Sequence, residues 1–333
     1  MREYLIKEAG QFYKANLHCH SDMSDGKLSP RALKAYYKSN GYAILAITDH
    51  EILAAHPELD DEDFLTVPGY EIAVNDSQEC DSSHLKTCHM NLYPRDKQNL
   101  RQPFFERECA FGNSLSHLDK IDIEQSENFV REYTPDCINK IVQTATEKGF
   151  LVTYNHPTWS LETYAEYTRY DGFFAMEIYN HGCIHTGPEF NQQVYDAMLR
   201  SGKRLYCVAT DDNHNRMHGT PLDDSLGGFT MIKAEALTHE AVISALEQGD
   251  FYASTGPYIE ELFIEDNQVH LKCSDAVDVF MHTSGRDGLH CAAENGQTLR
   301  TAVFSLADTE CWYYRFEVKD AQGRSAYTNA YFK

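Results

Sequence analysis

The 333-residue chain lacks any uninterrupted apolar run near the ~18 to 20 residues that cross a bilayer. Its first residues, MREYLIKEAGQFYKAN, lack the apolar centre of a secretory signal. A cytoplasmic location is the expectation, with no membrane partner. Positive charge is scarce: 29 Lys and Arg stand against 51 Asp and Glu, a formal net charge of −22. An extended nucleic-acid track needs clustered cations to displace counterions, so this balance argues against such a partner. A small anionic ligand is not excluded, because bound cations can reverse the field inside one pocket. The ten cysteines contain no CxxC and no regular spacing. They read as reduced, mostly buried small apolar residues and not as a disulfide framework. Internal repeats and low-complexity tracts are absent as well.

What the chain has is an ordinary globular composition, 42% hydrophobic and 24% charged. Its length suits one large domain with a small one appended. Up to about residue 256, short apolar runs alternate with helical patterns. YKANLHCH, YAILAITDH, FLTVPGYEIAV and CHMNLYP read as strands. SPRALKAYYKSNG carries a helix in its punctuation: Ser29 as N-cap, Pro30 at the first helical position, Gly41 just past the end. PDCINKIVQTATEKG sets Ile138, Ile141, Val142 and Ala145 at helical spacing, with Gly149 as the stop. FLVTYNHP, AMEIYN, RLYCVATDD and GGFTMIKA continue the strands. PEFNQQVYDAMLRSGK and LTHEAVISALEQGD, the latter capped by Thr238, continue the helices. Alternation at this spacing predicts an α/β domain of parallel βα units, roughly seven of them, and favours a barrel over an open sheet. Residues 95–133 are polar and aperiodic and read as an insertion covering one mouth of that domain. After Gly256 the chain turns to strands punctuated by Asp, Asn and Gly, which predicts a small all-β sandwich. The expected division is therefore 1–256 and 257–333.

NLHCHSDMSDG, residues 16–26, is the densest cluster of ligating side chains. Side chains alternate across a strand, so His18 and His20 share one face while Cys19 points into the strand–helix layer as a structural thiol. One HxH is weak alone, since satisfied core histidines are common. The remaining candidates strengthen it: Asp25 in the following turn, His50 ending ITDH, Glu71 in PGYE, His89 on CHMNLYP, His156 in NHP, and Asp212 and His214 in TDDNH. Except for His89, they fall at or just after the C-terminal ends of predicted strands, which in a βα barrel meet at one mouth. Six imidazoles and three carboxylates carry only three formal negative charges, so two or three divalent ions would leave the pocket net positive. A nitrogen and oxygen donor set without thiolate admits Zn, Mn or Fe.

HCHSDMSDG, ITDH, PGYE, CHMNLY, NHP and TDDNH resemble, in order, the motifs of the PHP (polymerase and histidinol phosphatase) family of metal-dependent phosphoesterases. The ending, from DDSLGGFTMIKA through ALEQGDFYASTGP to FEVKDAQGRSAYTNAYF, resembles two-domain members with a C-terminal β-sandwich, some of which are similar to carbamate hydrolases. The resemblance implies a distorted (β/α)7 barrel and a trinuclear metal site. One ion would take His18, His20, Glu71 and Asp212. A second would share Glu71 and add His89 and His156; a third would take Asp25, His50 and His214. Asp25 stands where some relatives carry histidine, and Asp211 is the alternative to Asp212. The implied reaction is hydrolysis of a small phosphorylated metabolite or nucleotide by a metal-bridging hydroxide held at Glu71. The rival with the same metals is a carbamate, ester or amide hydrolase. A rival of another class is a non-catalytic metal-binding module.

Around this set, His84 in SSHLKTC is the competitor of His89. His181, after AMEIYN, reads as a leaving-group proton donor or as a solvated loop histidine. Arg216 reads as a phosphate contact or as a surface loop residue, and Glu177 and Asn180 as supports behind the ligands. Trp159 reads as pocket lining or packing. Oligomerisation through the sandwich is a further expectation.

Overall fold

A computed structural model of the chain describes residues 2–77, 84–124, 130–187, 191–307 and 309–333. The predicted helices form where their caps stand. Helix α1 spans Pro30–Ser39, with the Ser29 side chain accepting from the Ala32 amide and Gly41 at a φ of +77°. Helix α2 spans Pro135–Glu147, capped by Thr134, and buries Ile138, Ile141, Val142 and Ala145. Ile138, Ile141 and Val142 each stabilise by roughly 1.5–3 kcal/mol when fully removed from water, and Ala145 by less. Helix α3 covers Asn191–Arg200; the first residues expected in it, 188–190, lie outside the described residues. Helix α4 covers His239–Gln248, capped by Thr238 and ended by Gly249 at φ +76°.

The strands that position the candidate site are β1 (Gln11–Asn16), β2 (Ile44–Ile47), β3 (Leu65–Pro68), β4 (Tyr70–Asn75) and β5 (Thr87–Pro94). They are followed by β6 (Phe150–Asn155), β7 (Ala175–Asn180), β8 (Tyr206–Thr210), β9 (Phe229–Ala234) and β10 (Phe251–Ser254). Two sheets result. In one, β1, β2 and β3 run parallel, and β9 and β10 follow antiparallel on the other side of β1. In the other, β6, β7 and β8 run parallel, while β5 pairs antiparallel with both β4 and β6.

The architecture is therefore mixed α/β, and it departs from the expected run of parallel units at two places. FLTVPGYEIAV is two strands, not one. Pro68 has no N–H to continue a ladder, and a Cβ on Gly69 would come within 3.0 Å of Tyr93 and 3.1 Å of Thr48. The chain changes sheet there and delivers Glu71 near the start of β4. CHMNLYP, as β5, runs antiparallel to its neighbours. Among the described residues no continuous ladder closes the ring; the two sheets touch through single parallel bridges, Cys19 to Asn213 and His50 to Glu71. Alternate residues of both sheets nonetheless share one inner apolar core, including Ala15, Ile44, Val67, Leu151, Ala175, Val208 and Ile232.

The C-terminal strands continue the first sheet: Ser325–Thr328 pairs with β10, and Tyr313–Lys319 and Asp278–Thr283 follow. A separate four-stranded sheet contains Glu3–Tyr4, Ile259–Glu265, Gln268–Ala276 and Leu299–Ser305. Among the described residues no helix is long and apolar enough to cross a membrane. All nine described cysteines are free thiols.

Candidate metal centre

His18 and His20 follow β1 on either side of Cys19, whose side chain lies in the core with Leu33 and Tyr37. The turn carrying Asp25 is held by Asp49: Oδ1 accepts the Ser21 amide at 2.7 Å and the Ser24 hydroxyl at 2.6 Å, and Oδ2 accepts the Ser21 hydroxyl at 2.6 Å. A Cβ on Gly26 would sit 2.4 Å from the His20 carbonyl oxygen, so the turn requires glycine there. His50 follows β2, His89 is the third residue of β5, and His156 follows β6. Asp212 and His214 follow β8. His156 and Asp212 adopt left-handed backbone, φ +26° and +52°, costly for side-chain-bearing residues and most often retained at functional sites.

These side chains converge in three adjoining groups: His18, His20, Glu71 and Asp212; Glu71, His89 and His156; and His20, Asp25, His50 and His214. All nine sequence candidates are in them, and His20 faces two. His18 Nε2 and His20 Nε2 stand 3.1 Å apart, and each lies 3.1–3.4 Å from Asp212 Oδ1 and Glu71 Oε2. Donors held at ~2.0–2.1 Å around a tetrahedral ion are themselves about 3.3 Å apart. Glu71 Oε1 turns the other way, 3.1 Å from His89 Nδ1 and 3.4 Å from His156 Nε2. His20 Nδ1 and Asp212 Oδ1 are buried without a hydrogen-bond partner. Burying an unpaired polar atom is costly. The first two groups therefore fit divalent cations in donor type and spacing, with Asp212 Oδ1 of the first left without a hydrogen-bond partner and His20 Nδ1 turned toward the third. The third is looser: His20 Nδ1 and His50 Nε2 are each 3.9 Å from Asp25 Oδ1, and His214 Nε2 is 3.3 Å from Asp25 Oδ2.

Electrostatics give the same picture. Burial works against charge on His18, yet Asp212, Glu71 and Glu177 outweigh it and raise the ring well above the usual imidazole range. Against the same burial, Asp212 and Glu71 push His20 up to about 10. Glu71 and Asp212 are held far below the carboxylate range by the surrounding imidazoles, despite burial that opposes ionisation. Burial, with His20 and His89 nearby, takes His50 down to about 3 and keeps it neutral. Protonated imidazoles thus balance the buried carboxylates, the role that divalent cations bound to the same groups would take over.

Glu177 supports the ligands from behind. Its Oε1 lies 2.7 Å from His18 Nδ1 and accepts the Thr210 hydroxyl at 2.7 Å; Oε2 accepts the His156 amide at 2.9 Å and the Asn180 side chain at 2.8 Å. A proton on His18 Nδ1 directed at Glu177 leaves Nε2 free for a ligand. Asp211 is not in the groups. Its carboxylate caps the loop after His214, accepting the amides of Leu226, Gly227 and Gly228 and the Tyr37 hydroxyl at 2.7–2.9 Å.

The cavity beside these groups has a volume of about 520 Å³ and is lined by seven of the nine candidate ligands, all but His18 and His20, and by Arg216, Trp159 and His185 among others. Arg216 donates to Asp25 Oδ2 at 2.7 Å. His181 is not among its lining residues. It begins a one-turn helix, Tyr179 donates or accepts at its Nδ1 at 2.9 Å, and its ring fills the space that the missing side chain of Gly227 leaves. His185, one turn on, lines the cavity instead. His84 is exposed and outside the groups. The insertion does form part of the wall: Phe111 packs on His50 with ring centroids 4.8 Å apart, Ser114 donates to the His50 carbonyl at 2.7 Å, and the Asn113 amide to that of Ser24 at 2.7 Å. Asp49 and Phe111 escaped the sequence reading; Asp49 adjoins a ligand in TDH, whereas nothing in the aperiodic stretch around Phe111 marks it.

No family model matches the chain, and no curated protein does. Solved structures do. A two-domain protein from Bacteroides vulgatus, described as containing a predicted PHP-like metal-dependent phosphoesterase, is 14% identical, with 99% of this chain and 98% of that one covered at a TM-score of 0.46. A protein from Bifidobacterium adolescentis, proposed to be a metal-dependent phosphoesterase, is 16% identical over 66% of this chain and 91% of that one, at 0.39. An amidohydrolase from Chromobacterium violaceum, with bound sulfate and no metal, is 15% identical over 60% and 87%, at 0.36.

Proposed function

We propose that this chain is a metal-dependent hydrolase of the PHP type that cleaves a phosphate ester of a small molecule. The observation that carries the reading is the convergence of nine side chains with nitrogen and oxygen donors, with His20 Nδ1 and Asp212 Oδ1 buried and without a hydrogen-bond partner. His18, His20, Glu71 and Asp212 would hold one divalent ion, and Glu71, His89 and His156 a second; Asp25, His50, His214 and His20 would offer a third, weaker position. When bound, such ions acidify a water and neutralise charge on phosphoryl oxygens. The chain's own groups do the rest. Glu71 spans the first two groups through its two oxygens, Glu177 fixes the His18 tautomer, and Asn155 donates to Glu71 Oε1 at 2.9 Å to hold its carboxylate. Arg216, at the cavity wall, supplies donors to a phosphate oxygen on exchanging its partner Asp25. His181 lies against Gly227 and is not among the cavity's lining residues, so we assign it no contact with substrate.

The finer architecture belongs to the same proposal: a distorted (β/α)7 barrel over residues 1–256 and a sandwich over 257–333. The inner core shared by both sheets supports the first part. A cytoplasmic setting accords with the free thiols. The deciding experiment assays the Mn- or Zn-loaded protein in parallel on phosphate monoesters and on carboxyl and carbamate esters. Phosphate release with little ester cleavage is expected. Clear ester or carbamate turnover without phosphatase activity would replace the reading by the rival hydrolase, and no turnover of either by a metal-binding module.

A further inference from the structure

The outer wall of the cavity is apolar. Phe111 packs on His50, and Trp159 packs on His89 and His156 with ring centroids 5.6 and 4.9 Å apart. Met217 and Leu222, from the loop beyond His214, complete the wall. These four side chains are 44–55% exposed, and they make up four of the eleven large hydrophobic side chains exposed among the described residues. Such residues scattered singly need no explanation; several around one cavity mark a binding surface. Among the described residues lining the cavity, Arg216 is the one Lys or Arg, and it already engages Asp25.

Resting on the hydrolase reading above, we propose that the substrate joins its phosphate to a neutral apolar group, aryl or alkyl, and that Trp159 and Phe111 select that group. The donor groups and Arg216 suffice for one phosphate. A polyol turned toward the carbon surfaces of Phe111, Trp159, Met217 and Leu222 would exchange water for neighbours that offer its hydroxyls no partner, leaving it the few polar groups at Thr186, His185 and Asp224. A second anion would meet Asp224 and Asp25, and among the described lining residues no Lys or Arg besides Arg216 stands ready to receive it. A phenyl-sized group gains from the same surfaces by leaving water.

Two measurements test this. Phosphate release by the metal-loaded protein is compared for 2-phenylethyl phosphate and glycerol 3-phosphate, both esters of primary alcohols. The expected preference in kcat/KM is roughly 10- to 100-fold for the phenylethyl ester, the worth of burying one such group, and Trp159→Ala should shrink it. Equal turnover of both overturns the inference and leaves the hydrolase reading intact. Turnover of neither ends the hydrolase reading and passes the question to binding. Trp159 and Trp312 are the two tryptophans, so Trp312→Phe leaves Trp159 as a fluorescent reporter for titration with 2-phenylethylphosphonate and methylphosphonate. Binding of the aryl compound at least about tenfold tighter supports the assignment; equal affinity overturns it.

Discussion

Arg216 donates to Asp25 through the same carboxylate oxygen, Oδ2, that stands 3.3 Å from His214 Nε2. A guanidinium thus occupies the oxygen that an ion in the third group would use, while among the described residues the first two groups meet only neutral donors, such as Asn155 on Glu71 and Asn180 on Asp212. The wild-type protein should keep two ions per chain through prolonged dialysis and lose a third. Arg216→Ala should retain the third ion at up to about fivefold lower free metal, since a largely exposed ion pair of about 1 kcal/mol or less no longer competes. Elemental analysis of both proteins after dialysis checks it; equal ion counts would show that Arg216 does not compete.

Glu177 should matter to metal affinity without touching metal. Glu177→Ala removes the acceptor that orients His18 and the acceptor of the His156 amide, groups belonging to two different clusters. Loss of such a support typically costs 10- to 100-fold in affinity, and a competition titration against a chromophoric chelator reads that loss. Glu177→Gln keeps an acceptor oxygen and should recover part of it. A variant that binds as tightly as wild type would make the carboxylate merely structural.

The donors were legible because residue type and strand-end position carry their signal locally: HxH, TDH, NHP and TDDNH each name themselves. Helix α1 was legible from Ser29–Pro30, and α2 from the spacing of Ile138, Ile141, Val142 and Ala145 with Gly149 as the stop, for the same reason. Strand direction was not, since an apolar run such as CHMNLYP reads the same whichever way its partner runs. Nor was the break at Pro68–Gly69, where the apolar pattern continues while the hydrogen-bonding partner changes. His181 satisfied the strand-end rule and yet does not line the cavity, because the turn of helix it begins carries its ring against Gly227, a contact 46 positions distant in no local pattern. The wall formed by Phe111 depends on how the insertion is pinned, and that pin is a long-range pair.

Arg131 is the pin. Its guanidinium donates to both oxygens of buried Glu51, at 2.7 and 2.9 Å, and to the Ala73 carbonyl at 2.9 Å. Burial raises the Glu51 carboxyl above its ordinary value even with Arg131 opposing. Arg131→Ala leaves an uncompensated buried carboxylate, which costs about 3–5 kcal/mol. Denaturant unfolding should show that loss, and Arg131→Ala with Glu51→Ala together should be less destabilised than the sum of the two single variants. Strict additivity would mean that the pair is not coupled.

Glu162 should give the protein a pH-dependent stability separate from its metal groups. Its Oε1 accepts the Tyr133 hydroxyl at 2.9 Å and that of Tyr170, and Oε2 accepts that of Tyr154. Burial leads and lifts the carboxyl to about 7, although all three hydroxyls favour the ionised form. The folded state therefore holds the proton more tightly than the unfolded chain, whose carboxyl titrates near 4.5. The stabilisation is full below that value and is lost as pH rises through about 7. Its span is up to roughly 3 kcal/mol at 1.36 kcal/mol per pH unit. Glu162→Gln, neutral throughout, should flatten the decline measured by denaturation between about pH 5 and pH 8 at fixed metal content, becoming the more stable protein at the alkaline end. An unchanged slope in the variant would place the titrating group elsewhere.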